Sequence, residues 1–510
     1  MKKIFSILPI TFFILSNIFA QPTQTDIDWP TLGDSPWPMI KHDPEFTGRY
    51  PYKGPQTPTI VWKEDMKDGI FSGPVLGEDG NLYFGSYFQD PLHLGVSDYF
   101  YSYSPDGKFI WEYKTGTSRP PQSGILVDSS NTIYFGSLDK YFYALNSDGT
   151  LKWKYETSAP IVELAMPNID LEGRLYITNG LGELYSINPD GSLNWNVKYE
   201  DGFYGRSPVF SLDGNTLYIF GRDSDLFAID LNGSLEWKFE CGKAAKAPII
   251  DNEGNLYFLP EEVPQKLYSL KPDGIIRWEV TIIDSSSIPS YSAPTIDSLG
   301  NIYVALGSAI LSYDYEGSVR WWYIVGTNPD EYDDFWQPLI CDSEGTVYVG
   351  STFGYYYYAI SSNGELKWQL PLNDYQVDNT GAIGEDGTLY LGVHKSSLAT
   401  NQEKTLIAIR DTGATSVIYN LNIFDYDLKQ NYPNPFNPST TIKYQMPQTG
   451  FVTLKVYDIL GEEVAVLVNE EMTAGRYEVN FNASSLASGV YLYRITVNDY
   501  VDVKKMLLLK

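Results

Sequence analysis

Eight tryptophans set a ruler along the chain. Trp62, Trp111, Trp153, Trp195, Trp237, Trp278, Trp321 and Trp368 follow one another at intervals of 41 to 49 residues. From Trp111 onward each is preceded, four residues earlier, by a glycine: Gly107, Gly149, Gly191, Gly233, Gly274, Gly317 and Gly364. In Asn146–Thr157, NSDGTLKWKYET, an Asp-Gly pair opens a run of alternating apolar and polar residues, the strongest short-range signal of a β-hairpin. A fixed interval from turn to Trp, with looser spacing elsewhere, marks a structural repeat. A period near 42 residues with two-residue alternation inside each unit points to propeller blades and away from helical arrays.

Each unit carries a second hairpin upstream, a turn followed by LYFG or a variant. Its tyrosines are Tyr83, Tyr134, Tyr176, Tyr218, Tyr257, Tyr303, Tyr348 and Tyr390. A unit therefore holds four short strands, which make one antiparallel blade. The two series are out of phase. The first Trp strand, PTIVWKEDM, precedes every Tyr strand, and the last Tyr strand, at Tyr390, is followed by TLIAIRDTG and no Trp. The phase shift predicts that the Trp62 strand completes the eighth blade and closes the ring, leaving no open edge between first and last units.

These repeats resemble the eight-bladed propellers built from pyrroloquinoline-quinone-type repeats. ALNSDGTLKW is similar to that family's docking phrase, one residue shorter at the turn, and WPMIKHDPEFTGRYPYKGP (Trp37–Pro55) is similar to its lead-in. The tail, by contrast, resembles the C-terminal sorting domain of type IX secretion cargo, on QNYPNPFNPSTTI, VYDILGEEV, AGRY, SGVYLYRI and the Lys504-Lys505 to Lys510 run. Its alternating runs read as a small immunoglobulin-like β-sandwich. The resemblance implies type IX secretion machinery as a partner, acting through this domain after transit of the periplasm.

The start of the chain agrees with export. Lys2 and Lys3 precede an apolar stretch closed by Ala20, the layout of a signal peptide, and no later segment is long enough to span a bilayer. The expected organisation is a signal peptide over 1–20, a lead-in over 21–56, the propeller over 57–413, a linker over 414–423 and the sorting domain over 424–510. The whole is all-β: an eight-bladed propeller of four-stranded antiparallel blades, then the sandwich. The expected location is extracellular or the outer cell surface.

Charge and chemistry bound the function. A net charge of −28 argues against nucleic acid or an anionic membrane as partner. Quinone-dependent dehydrogenases share this fold type, but no calcium-ligand set or vicinal cysteine pair matches theirs, so neither cofactor nor metal is expected. Cys241 and Cys341 belong nearly three blades apart and should stay unbonded, with Cys241, beside Gly242 and Lys243, the more reactive thiol. Three histidines are too few for a zinc site, although His93 and His394 sit in inserts of the first and eighth blades, neighbours in a closed ring. The loop VGTNPDEYDDFWQP sets Tyr332 and Trp336 beside Asp333 and Asp334, an aromatic and carboxylate mixture able to hold a sugar or a cation. The expectation is a secreted, non-catalytic module that binds a protein or a glycan. The alternative is an extracellular enzyme, quinoprotein-like or polysaccharide-active, with its site on the loop-rich face.

Overall fold

The computed structural model describes residues 22–510 except 26, 67–68, 71–72, 88–97, 117–120, 122, 163–164, 200–201, 204, 223–224, 243–246, 262–263, 283–292, 326–334, 336, 353, 373–374, 378, 396–403, 412–425, 432, 447, 474 and 499. Every regular element among these residues is a strand. The chain divides after Asp411 into two compact units.

The first unit is a ring of eight antiparallel sheets, its blades. The second blade is representative: Ile125–Val127, Ile133–Gly136, Tyr141–Leu145 and Leu151–Glu156 pair in that order from the axis outward. The first strand of a blade spans only two or three residues, whereas the Trp strand runs to five or six in blades one to seven. The eighth blade combines Ala382–Ile383, Leu389–Lys395 and Lys404–Asp411 with Pro58–Asp65 from the other end of the unit. Pro58 lies opposite Asp411 and Asp65 opposite Thr405, so the ring is closed by a strand from its beginning.

The ruler now has a physical cause. Each Trp indole donates to a carbonyl in the last turn of the next blade: Trp62 to Pro105, Trp111 to Ser147, Trp153 to Pro189, Trp195 to Leu231, Trp237 to Pro272, Trp278 to Tyr315 and Trp321 to Ser362 (2.8–3.1 Å). The glycine of that turn has φ near +80° and lies under the same indole. A Cβ on Gly149 would stand 2.6 Å from the Trp111 ring. Both the backbone region and the close approach exclude any larger residue. The eighth blade has no such turn, because its third and fourth strands are far apart in sequence. Trp368 instead donates to the carbonyl of Pro55, just ahead of the closing strand, at 2.8 Å. The tyrosines complete the unit: each packs on the Trp of its own blade at 5.7–6.1 Å between ring centroids, Tyr390 on Trp62 included.

The second unit is a sandwich of two antiparallel sheets. One orders Asp427–Leu428, Ser439–Met446 and Gly475–Asn482; the other orders Glu463–Met472, Gly450–Tyr457, Gly489–Val497 and Tyr500–Leu508. The Pro-Asn-rich opening fastens the final strand: Phe436 is buried, its N–H donates to Leu507 and its carbonyl accepts from Leu509.

Neither cysteine forms a disulfide, and both are buried. Cys341 lies in the first strand of blade seven, where burial first, then the charge of Asp297, pushes its thiol well above the usual range. Cys241 follows the Trp strand of blade four and is only 6% exposed, so it is little more accessible than Cys341. Labelling of the denatured, unreduced protein should count two thiols. A count of zero in a monomer would contradict the blade order.

Candidate functional site

Three regions of the ring bear on function: its axis, its loop-rich end and its perimeter. The axis is filled by the lead-in. This segment has no periodicity, several prolines and four residues at positive φ (Lys41 69°, His42 77°, Phe46 57°, Gly48 65°), so it forms no regular element and can bend tightly. It winds once round the axis in blade order. The carbonyl of Trp37 accepts from Leu76 of blade one and that of Pro38 from Val127 of blade two. Pro44 accepts from the Asn168 side chain of blade three and from Phe210 of blade four. Glu45, Thr47 and Gly48 then accept from Ile250, Ile296 and Cys341 of blades five, six and seven. The Tyr50 hydroxyl donates to Gly384, at the end of the first strand of blade eight. The short first strands thus find partners for their inward edges. Residues 24–25 and 27–35 cross the turn-side end of the axis: Gln24 donates to Ser298, Trp29 to Ile169, Thr31 to Asp170 and Gly33 to Val127.

Charges travel into the axis with this segment. Lys41 is buried, and its ammonium donates to the carbonyls of Pro294 and Leu339 (2.8 and 3.1 Å) and to the Thr295 hydroxyl (2.8 Å), tying blades six and seven together. Asp43 accepts from the Thr47 N–H at 2.8 Å, from the Thr47 hydroxyl and from His42 Nδ1 at 3.3 Å. Burial pushes the Asp43 carboxyl up, but the hydrogen bond and attraction of His42, with Arg49 and Thr47, outweigh it and hold the group below the usual carboxylate range. Glu45 and Arg49 are buried beside them. Lys41 and Asp43, so enclosed, hold backbone groups in place.

At the loop-rich end, Tyr332, Asp333, Asp334, Trp336 and His93 lie outside the described residues. Phe335, in the middle of that aromatic and acidic loop, is buried, and its N–H donates to Gly307 of blade six at 3.2 Å. His394 lies in the second strand of blade eight, opposite Gln376 and Lys404. Beside it the Tyr375 ring is flanked by the ammonium groups of Lys63 and Lys395, at 5.3 and 5.0 Å from its centroid. Among the described residues no three His, Cys, Asp or Glu side chains converge as a metal site would require.

The perimeter holds a feature that sequence reasoning missed. In each Trp strand the residues one and three places after the Trp point outward and are exposed. Seven blades fill these places with polar residues or proline: Glu112 and Lys114, Lys154 and Glu156, Asn196 and Lys198, Lys238 and Glu240, Glu279 and Thr281, Gln369 and Pro371, Lys63 and Asp65. Such residues protect an open strand edge from unwanted pairing. Blade six carries Trp322 and Ile324 there, 67% and 61% exposed, with Val319 also exposed on the same strand. Cross-strand from them lie Leu311 and Ala309, both half-buried, with Leu311 packed against the ring's core. The signal was in the sequence as VRWWYI. It becomes visible only when the eight Trp strands are aligned on their outward faces.

Comparison with known proteins agrees with this geometry. Residues 54–207 and 182–416 match the family model described as outer membrane protein assembly factor BamB, and residues 430–509 match the secretion system C-terminal sorting domain. No curated protein matches the chain. Among solved structures, the C-terminal WD40 domain of Sif2 superposes with a TM-score of 0.54 at 11% identity, over 71% of this chain and 99% of that one. The Dos1 propeller gives 0.50 at 13%, over 70% and 95%. BamB from Moraxella catarrhalis gives 0.49 at 13%, over 70% and 99%. No helix among the described residues is long and apolar enough to cross a membrane.

Proposed function

The chain belongs to the repeat family of the outer membrane protein assembly factor BamB and ends in a secretion sorting domain that sends it to the cell surface or beyond, and from that premise we propose that it is a non-catalytic binding module for a protein or a neutral glycan. The observation that carries this reading is the break in the repeat at Trp322 and Ile324. An exposed indole with an aliphatic neighbour on a rigid strand is an anchor for a sugar face or an apolar side chain. Covering what Trp322 exposes is worth about 2–3 kcal/mol. The filled axis supports the non-catalytic part, because the lead-in occupies the place where an axial cofactor or substrate would need to enter. The charge of −28 disfavours polyanionic ligands, which leaves neutral glycans and proteins.

The test is a titration of the exported protein against a panel of neutral glycans and purified envelope proteins, read by tryptophan fluorescence. A Trp322→Ala/Ile324→Ser variant should bind at least about tenfold more weakly, since about 1.4 kcal/mol corresponds to one decade. Its melting temperature should match the parent, because neither side chain is buried. Binding unchanged in the variant would place the ligand elsewhere, and turnover of a glycan by the parent would overturn the non-catalytic reading.

A further inference from the structure

The hairpin between Gly450–Tyr457 and Glu463–Met472 ends in Asp458-Ile459-Leu460-Gly461. Its construction is simple. The Asp458 carboxylate accepts from the N–H of Leu460 and of Glu462, both at 2.9 Å, and the Gly461 N–H closes the turn on the Asp458 carbonyl at 3.1 Å. Gly461 supplies φ = +83°. Nothing in this turn calls for large apolar side chains at its two middle places, yet Ile459 is 73% and Leu460 81% exposed.

The propeller provides the control, for it repeats the same turn on Asp170, Asp230, Asp251, Asp297, Asp314 and Asp342. The third place of those turns holds Glu172, Asn232, Glu253, Leu299, Glu316 and Glu344. Where the second place is apolar, as at Leu171, Leu231 and Tyr315, the side chain packs on the ring's core. Only the turn of the tail, among these seven, leaves both places apolar and open. The strand pairing brings more apolar surface to the same end of the sheet. Tyr457 lies opposite Leu492 and Gly489 opposite Leu508, so Val490 and Leu509, 38% and 50% exposed, lie at the end where the turn projects.

We propose that the Ile459–Leu460 tip is the contact by which this sorting domain docks into an apolar cleft on the secretion machinery. The occupant follows from the domain itself, whose family match is to a sorting domain. The tip adds nothing to the sandwich core, since neither side chain packs against it. A projecting pair of aliphatic residues on a rigid hairpin fits a concave apolar pocket. The Glu462 carboxylate next to it, exposed on the same turn, favours a cationic rim.

The test uses the full chain in a host with type IX secretion. An Ile459→Ser/Leu460→Ser variant should show at least a tenfold drop in the ratio of external to periplasmic protein, approaching the parent in a strain without the machinery. Both melting transitions should stay at parental temperatures. The Ile459→Val/Leu460→Met variant should restore export. Parental export of the serine variant, with the parent still retained in the deficient strain, would overturn the docking role and leave the sorting assignment standing. A parental dimer in light scattering that the serine variant alone loses would also overturn it, in favour of self-association.

Discussion

A chain that lacks residues 22–54 should fail to form the ring. The lead-in buries Trp29, Trp37, Met39, Ile40, Phe46 and Tyr50, and it supplies hydrogen-bond partners to the inner end of all eight blades. Truncating one buried Trp or Phe to alanine costs about 3–5 kcal/mol. Loss of several at once exceeds the roughly 5–15 kcal/mol by which a folded domain is stable. The inward backbone groups of the first strands would then face either an empty channel or water. The expected result is aggregated protein without a cooperative propeller transition in calorimetry, while the sorting domain still melts as its own unit. Trp37→Ala, the smaller change, should lower propeller stability by about 3–5 kcal/mol in urea unfolding. A truncated chain that melts within a few degrees of the parent would show that the axis can do without its filling.

Deletion of Thr57–Met66 should have the second largest effect, through the perimeter. The closing strand pairs with Lys404–Asp411 along its whole length, and Trp62 joins blade eight to blade one by its bond to Pro105 and its contact with Tyr390. Without it, blade eight loses its outermost strand and exposes the edge of Lys404–Asp411, a template for pairing with other chains. The deleted protein should unfold at lower temperature over a broader range and aggregate on heating. Trp62→Ala separates closure from simple loss of packing. The equivalent Trp153→Ala removes the same indole-to-turn bond inside the chain-continuous part of the ring, and both should cost a similar amount, near the low end of about 3–5 kcal/mol because each indole is only partly buried. A Trp62→Ala variant as stable as the parent, beside a destabilised Trp153→Ala, would mean that the ring does not depend on its closure.

The eight blades, their strand order and the closing role of the Trp62 strand were legible in the residues because each is written in local chemistry. An Asp-Gly turn needs its glycine at positive φ, alternation needs only neighbours, and a fixed count from Gly to Trp survives in the linear text. The sandwich of the tail was legible for the same reason. The aromatic and acidic loop around Asp333 stood out by composition alone; of its aromatic and acidic residues, the described ones include Phe335, which is buried. Two features were decided by the tertiary structure. The path of Trp37–Tyr50 round the axis rests on hydrogen bonds to residues from Leu76 to Gly384, and a segment held by partners so far along the chain, with no period of its own, carries no local sign of where it goes. The Trp322–Ile324 surface was spelled out in VRWWYI, but alternation defines two faces of a strand without saying which is covered. Packing of one blade on the next makes that choice: it buries the face of Trp321 against the following turn and leaves the other to solvent.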